Sequence, residues 1–227
     1  MARMTINPLA PYVLTLATAF LVFAASHGLT AQGQVPGSCA TPVAERTSEV
    51  GCYVDANEPL GELPTEPIFW HIYNFPTRAA ADSAKPLHGT VIESFGKIRL
   101  YAIATSDWHP KSGERVAVIG PLVVLPGKQY TARYMEATFT PGMAARAHEH
   151  SGPEAFYVVS GTQCLETSDG MTLSHARESA VAPQGSFMTV TGVGQEVRRA
   201  LVVVLHDTAQ PWQTFTSDWK PKGLCRL

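Results

Sequence analysis

The apolar residues of this chain change their spacing along the sequence, and each spacing predicts a different structure. From Leu9 to Ala25 they form an almost continuous run. Short β-prone runs follow between residues 68 and 105, with an Ala-rich stretch after Thr77 that predicts a short helix over 77–84. From Glu114 onward, short β-prone segments alternate with Gly and Pro turns, with no helical periodicity between them.

This pattern predicts a mainly β protein whose C-terminal part is a β-sandwich or β-barrel. Barrel strands are predicted near residues 115–124, 129–139, 145–150, 155–160, 162–167, 179–183, 187–191 and 197–206. Gly96, between two β-prone runs, predicts a hairpin, whereas residues 51–70 carry three prolines and are predicted to be irregular. The predicted organisation is a signal peptide at 1–33, an α+β extension at 34–110, the barrel at 111–207, and a tail at 208–227 that packs across the barrel exterior.

The first 33 residues have the three parts of a secretory signal peptide. Arg3 supplies the basic start, the apolar run follows, and small residues near Ala25 and Ala31 offer cleavage sites. The alternative is an uncleaved membrane anchor, although the apolar run is short for a membrane span. The chain is therefore predicted to be secreted or periplasmic, with no stable membrane partner after cleavage.

The charge of the chain narrows the classes of partner. The formal net charge is -2 at pH 7, and no block of like charges stands out. A nucleic-acid-binding surface is therefore not expected. The apolar fraction of 45% is typical of a globular protein.

All four cysteines follow the predicted signal peptide, and their even number favours disulfides in an oxidising compartment. Three pairings are possible. Cys39–Cys52 is the local choice, and its loop would stabilise the fold by about 3 kcal/mol in the chain-entropy model. Cys164–Cys225 would then tie the tail to the barrel; the alternative is buried free thiols.

A metal-ligand cluster is predicted at His148, His150 and Glu154. The two histidines are two residues apart, so on a strand their side chains point to the same face. A Ser-Gly-Pro turn then brings Glu154 back towards that face. Two imidazoles and one carboxylate form a divalent-metal site, and this set is also found in non-haem iron oxygenases.

The stretch that contains these residues resembles the first sequence motif of the cupin superfamily, G(X)5HXH(X)3–4E(X)6G. Five residues occupy its specified positions: Gly142, His148, His150, Glu154 and Gly161. The resemblance covers about residues 115–207. It implies a small, jelly-roll-like β-barrel whose interior holds a divalent ion (Fe, Mn, Ni, Zn or Cu) bound by both histidines and the glutamate, and a homodimer as one mode of assembly.

The second cupin motif, G(X)5PXG(X)2H(X)3N, is only partly present. Pro183-Gln184-Gly185 supplies its P-x-G turn, but Met188 stands where the third histidine is expected. Three interpretations stay open. Three ligands bind the metal alone and leave a position for water or substrate; the Met188 thioether becomes a ligand and favours Cu(I); or the barrel has lost its metal and binds a ligand without it.

Several other residues are candidates for the pocket or its rim. Glu136 lies on the strand leading into the motif, Tyr157 lies within it, and His206 ends the last barrel strand, where it could replace the missing ligand. Arg198 and Arg199 open that last strand. An inward arginine there could bind a carboxylate or phosphate, although a solvated pair is the default expectation.

These features support three hypotheses about function. The first is a metal-dependent enzyme acting on a small organic molecule, with oxygenase chemistry at iron as the leading case. The second is a protein that binds a small ligand without an essential metal. The third is a structural or dimerisation module. The fold alone does not decide between them.

Overall fold

The computed structural model of the protein describes Met1 and residues 39–226, so the predicted signal peptide lies, apart from Met1, outside the described residues. Three antiparallel sheets account for most of the described chain. The strands in chain order are Gly51–Glu62 (β1), Ile68–Phe75 (β2), Gly89–Ser94 (β3), Lys97–Ala104 (β4), Glu114–Leu122 (β5), Gln129–Phe139 (β6), His148–Glu149 (β7), Glu154–Ser160 (β8), Thr162–Thr167 (β9), Gly170–His175 (β10), Ser179–Ala182 (β11), Met188–Val193 (β12), Arg198–Asp207 (β13) and Thr214–Phe215 (β14).

Two of the sheets form the barrel, and the third covers it. The central sheet has the strand order β1-β6-β13-β8-β11, and the site sheet has the order β10-β9-β12-β7-β14. Their facing side chains share one apolar core that includes Met135, Leu165 and Val202. The N-terminal sheet, β3-β4-β2-β5, packs against the other face of the central sheet through a second core that includes Trp70, Tyr134 and Leu201.

The central sheet is therefore buried on both faces, which explains the sequences of its strands. β13 reads RRALVVVLHD, a nearly continuous apolar run, because residues on either side of it meet a core. β6 likewise lacks simple alternation of apolar and polar residues. The inward face of these strands thus has no signature in the sequence.

The sheets exchange strands across the predicted boundary at residue 110. Residues 51–62, predicted to be irregular, form β1 at the edge of the central sheet, where one of two register shifts falls between Pro59 and Gly61. Conversely β5, predicted as a barrel strand, pairs with β2 in the N-terminal sheet. β-Propensity locates a strand but does not identify the sheet that it joins.

The predicted local elements of the extension are confirmed. The helix is Arg78–Ala84 (α1), and the Thr77 hydroxyl caps it by accepting a hydrogen bond from the Ala80 amide at 3.2 Å. Gly96, with φ of 69°, makes the turn of the β3–β4 hairpin. Strand β10 was not predicted; most of its residues are exposed or half-buried.

Both disulfides join the expected partners, Cys39 with Cys52 and Cys164 with Cys225. The second closes a separation of 61 residues and fixes the end of the tail to β9. Two disulfides indicate an oxidising, extracytoplasmic environment. Within residues 39–226, helices of a length and apolarity sufficient for a membrane span are absent.

Candidate metal centre

A short strand and a tight turn bring the three predicted ligands together. His148 lies in β7, which pairs with β12 and β14 of the site sheet. The chain then crosses to the central sheet at Gly152, where a Cβ atom would lie 1.7 Å from the carbonyl oxygen of Leu205. Only glycine fits so close to another backbone. The turn places Glu154 at the first position of β8, facing the barrel interior.

The side chains of His148, His150 and Glu154 converge in a buried site. Their potential ligand atoms all lie within 4.8 Å of one another. The Nε2 atom of His150 is 3.3 Å from Oε2 of Glu154, and the two imidazole centroids are 4.8 Å apart. Each residue exposes 5% or less of its surface. The site therefore has the size and the donor atoms of a metal site with one carboxylate and two imidazoles.

Backbone carbonyls fix the tautomers of both histidines. Nδ1 of His148 lies 2.6 Å from the carbonyl oxygen of Arg146, and Nδ1 of His150 lies 2.6 Å from that of Trp212. A carbonyl only accepts, so each Nδ1 donates its hydrogen. Each neutral ring then carries its lone pair on Nε2, the arrangement that metal-bound histidines adopt.

Two buried atoms of the site lack hydrogen bonds, and a cation would satisfy them. These atoms, Nε2 of His150 and Oε2 of Glu154, face each other at 3.3 Å and have no other partner among the described residues, so a proton on His150 would pair them and a bound cation would be ligated by both. Burial and the neighbouring His150 lower the pKa of His148, which favours its neutral, metal-binding form. Burial alone would lower the pKa of His150, but Glu154 and the Trp212 carbonyl raise it above its usual value. The electrostatics thus favour a positive charge beside Glu154, and the residues fit a divalent ion.

The C-terminal tail forms part of this site, which the sequence did not predict. β14 pairs with β7, so the tail extends the site sheet next to His148. The Trp212 ring stacks on the His150 ring at 5.5 Å, and Phe215 packs edge-on against His148 at 6.5 Å. The guanidinium of Arg133 lies 4.3 Å above the Trp212 ring. Aromatic residues in the tail were visible in the sequence, but nothing in it related them to the histidines.

Two of the four predicted pocket residues lie on the side of the barrel that holds the triad. Met188 is 1% exposed, and its Cα is paired with that of His148 across neighbouring strands, so both side chains point to the same face. His206 is half-buried on β13, on the side that faces the barrel interior. Val204, two residues before it on the same face of β13, pairs with Glu154, so His206 lies near the triad. Burial lowers the pKa of His206.

The other two, Glu136 and Tyr157, are not brought to the triad. The Glu136 carboxylate accepts hydrogen bonds from the Ser94 hydroxyl at 2.8 Å and the Phe95 amide at 3.1 Å, in the contact with the N-terminal sheet. Tyr157 packs into the core on that same side. Side chains alternate along a strand, so their neighbours Met135 and Phe156 point into the barrel instead.

The expectation of a solvated Arg198–Arg199 pair is wrong for its first member. Arg199 is exposed, but Arg198 is 1% exposed and points into the barrel. At the other end of the barrel, a pocket of about 380 Å³ opens beside His150. Its polar lining includes Lys128, Ser151, Asp207 and Thr214.

Comparisons with known proteins give only distant likenesses. No family model matches the sequence, and no curated protein matches it. Among solved structures, a DMSP lyase is 17% identical over 38% of this chain and 44% of its own, with a TM-score of 0.33. A cupin superfamily protein from Desulfitobacterium hafniense is 14% identical over 38% of this chain and 74% of its own, with a TM-score of 0.32.

An oxalate oxidase, solved in complex with the substrate analogue glycolate, is 20% identical over 37% of this chain and 46% of its own, with a TM-score of 0.33. The matched regions thus span less than half of this chain and less than half of the two enzymes. Likenesses at this level carry no functional conclusion. On its own strand order and interior triad, the chain contains the small β-barrel that its resemblance to the first cupin motif predicts, and the histidines and glutamate of that motif converge as a candidate metal centre.

Proposed function

We propose that this protein is exported and binds a divalent metal ion through His148, His150 and Glu154, and that the loaded site acts on a small organic molecule. One observation carries the proposal. Two buried imidazoles, with Nδ1 committed to carbonyls, direct their remaining nitrogens into a site that also holds Oε2 of Glu154, whose one near partner among the described residues is Nε2 of His150 at 3.3 Å. Leaving such atoms without a partner is costly in a barrel core.

Three protein ligands leave coordination positions for other molecules. A divalent ion held there acts as a Lewis acid or, where iron is bound, as a centre for oxygen chemistry. The chain's own residues set the surroundings: Met188 closes the site on the side of β12, and Trp212 and Phe215 shield the two rings from solvent. His206 lies two residues beyond Val204, the β13 partner of Glu154, and on the same face, so its imidazole can hydrogen-bond to a molecule bound at the triad.

Metal content tests this proposal directly. We expect about one metal ion per purified chain by elemental mass spectrometry, and none in the His148→Ala/His150→Ala double variant. The matched control is His109→Ala/His175→Ala, which removes two exposed histidines. If wild-type protein stays empty after anaerobic reconstitution with iron, manganese, nickel, copper and zinc, the metal function is wrong.

The second candidate function is ligand binding without an essential metal. The observation that favours it is Met188, fully buried beside His148 at the position where the cupin motif has its third histidine. A site with one ligand fewer holds its ion less tightly. Stabilisation of chelator-treated protein by a small molecule would favour this function, whereas turnover that requires the metal would favour the first.

Export accounts for the sequence at the N-terminus and for the disulfides together. A chain that leaves the cytoplasm forms Cys39–Cys52 and Cys164–Cys225 without competition from reducing agents. The intact mass of protein recovered from outside the cytoplasm tests this. A mature N-terminus near residue 34 supports cleavage, and a full-length mass in the membrane fraction supports the anchor.

A further inference from the structure

A charged side chain lies inside the barrel at the opposite end from the triad. Arg198 opens β13 and is 1% exposed. Its side chain is on the same face of β13 as Val202 and Val204, which pack in the barrel core. An arginine at this depth keeps its charge: burial lowers its pKa to about 9, which is still above neutral pH.

The contacts of this guanidinium leave its charge without a direct counter-ion. Its Nη2 donates to the Oε1 atom of Gln163, which lies in the opposite sheet and is fully buried. The Phe139 ring lies 4.9 Å from the guanidinium carbon. Within the described chain, Arg198 forms no salt bridge. Glu154 attracts it only from beyond contact distance.

Two donors at this point have no acceptor. Nε of Arg198 and Nε2 of Gln163 are both buried, and neither makes a hydrogen bond with a described residue. A buried positive charge and two unpaired N–H groups are costly, and an anion with two acceptor atoms would satisfy all of them. A carboxylate supplies one negative charge and two oxygens.

We propose that Arg198 and Gln163 form an anion-binding subsite inside the barrel that takes the carboxylate of a small organic acid. One charge and two free donors suit a monoanion. A phosphate dianion would bring a second charge and a third oxygen for which this end of the barrel has no free donor among the described residues.

The position of the subsite determines how the acid lies in the barrel. Arg198 is six residues before Val204 on β13, and Val204 pairs with Glu154, so the two levels are about 20 Å apart at the Cα atoms. The arginine side chain covers part of this distance. Phe156, Leu165 and Val190 pack in the core between the two levels, so the body of an acid bound there would contact apolar side chains. Its far end faces the triad, and this orientation rests on the proposed function.

Calorimetric titration of the full-length protein tests the subsite with two matched pairs of probes. Butanoate is compared with butanamide, and benzoate with benzamide, in metal-loaded and in chelator-treated protein. We expect each acid to bind at least tenfold more tightly than its neutral amide, because the amide has nearly the same shape but lacks the charge. Equal binding within both pairs, or no binding of either acid, would overturn the proposal.

Two variants assign the binding to the named residues. Arg198→Met removes the charge and is expected to weaken acid binding at least tenfold. Gln163→Glu keeps the shape but gives Arg198 a built-in carboxylate, so acids are excluded while the metal content and the fold remain. If Arg198→Met fails to fold, acid binding by the Gln163→Glu variant tests the assignment on its own. Acid binding at wild-type strength in Gln163→Glu would contradict the assignment.

The design separates this inference from the metal function. Acid binding that is lost in Gln163→Glu but persists in protein that never loads a metal supports the subsite and refutes the metal centre. Protein that loads a metal but does not discriminate acids from amides supports the metal centre and refutes the subsite.

Discussion

Some ionisable side chains of this protein are buried where ionisation is unfavourable, and Asp55 is the clearest case outside the barrel. Both of its carboxylate oxygens are buried without a hydrogen-bond partner in the described chain. Burial raises the pKa of Asp55 to about 8, and nearby Glu136 adds to the rise, while Arg99 and Arg46 oppose it. The folded protein therefore holds a proton on Asp55 that the unfolded chain releases at much lower pH.

This predicts a stability that falls as the pH rises. Below the usual carboxyl pKa of 3.8, Asp55 is protonated in both the folded and the unfolded state, so its burial causes no pH-dependent loss of stability. Between pH 3.8 and about 8 only the folded state holds the proton, so the free energy of unfolding declines by about 1 kcal/mol per pH unit.

The Asp55→Asn variant tests this sign. Asparagine cannot ionise, so we expect wild-type protein to lose stability relative to the variant between pH 5 and pH 8 in urea unfolding. Asp169→Asn, at an exposed turn, is the control. A constant difference between wild type and Asp55→Asn across this range would show that Asp55 is ionised in the folded state.

At the scale of elements, the tail is the feature that joins structure to site. Its Trp212 supplies both a stacked ring and the carbonyl that holds Nδ1 of His150. Groups that orient a metal ligand in this way affect affinity even though they do not touch the metal.

Trp212→Ala should therefore weaken metal binding about tenfold. The ring of His150 loses the surface that keeps it in place, although the backbone carbonyl remains. The matched control is Trp219→Ala, another half-buried tail tryptophan, which stacks on Phe187 instead. Competition with a fluorescent chelator measures both affinities, and equal losses in the two variants would contradict a specific role for Trp212.

The elements also show what sequence can and cannot predict here. Turn residues, the Thr77 cap and the spacing from Gly142 to Gly161 are local signals, so the helix, the hairpin, most barrel strands and the triad were predictable. β1 was missed because Pro59, its one proline, suits an edge strand as well as a loop. Glu136 and Tyr157 were assigned to the pocket because strands with both faces buried do not reveal which face is which.

At the scale of the whole molecule, the Cys164–Cys225 disulfide closes the largest loop among the covalent links of the described chain. This disulfide anchors the far end of the tail, the segment that begins after β13 and passes over both histidines. In the chain-entropy model, a loop of this size stabilises the folded state by about 4 kcal/mol. The link also limits how far the tail can move from the site.

A Cys164→Ser/Cys225→Ser variant should lose metal to a chelator at least threefold faster than wild type, because the tail can then detach and free the His150 ring. Stopped-flow mixing with the chelator measures the rate. Treatment with a phosphine reductant should speed release from wild type to the rate of the variant and leave the variant unchanged. Unaltered release from both would show that the tail stays in place without the disulfide.

The place of Trp212 in the chain has a consequence for the order of biosynthesis. Ribosomes make the N-terminal part of a protein first, and Trp212 follows every strand of the central sheet. The carbonyl that orients His150 is therefore among the last groups to be synthesised, and the complete site exists only in a nearly finished chain. Under the proposed function, tight metal capture follows completion of the chain, and an exported protein would take its metal from the outer compartment rather than from the cytosol.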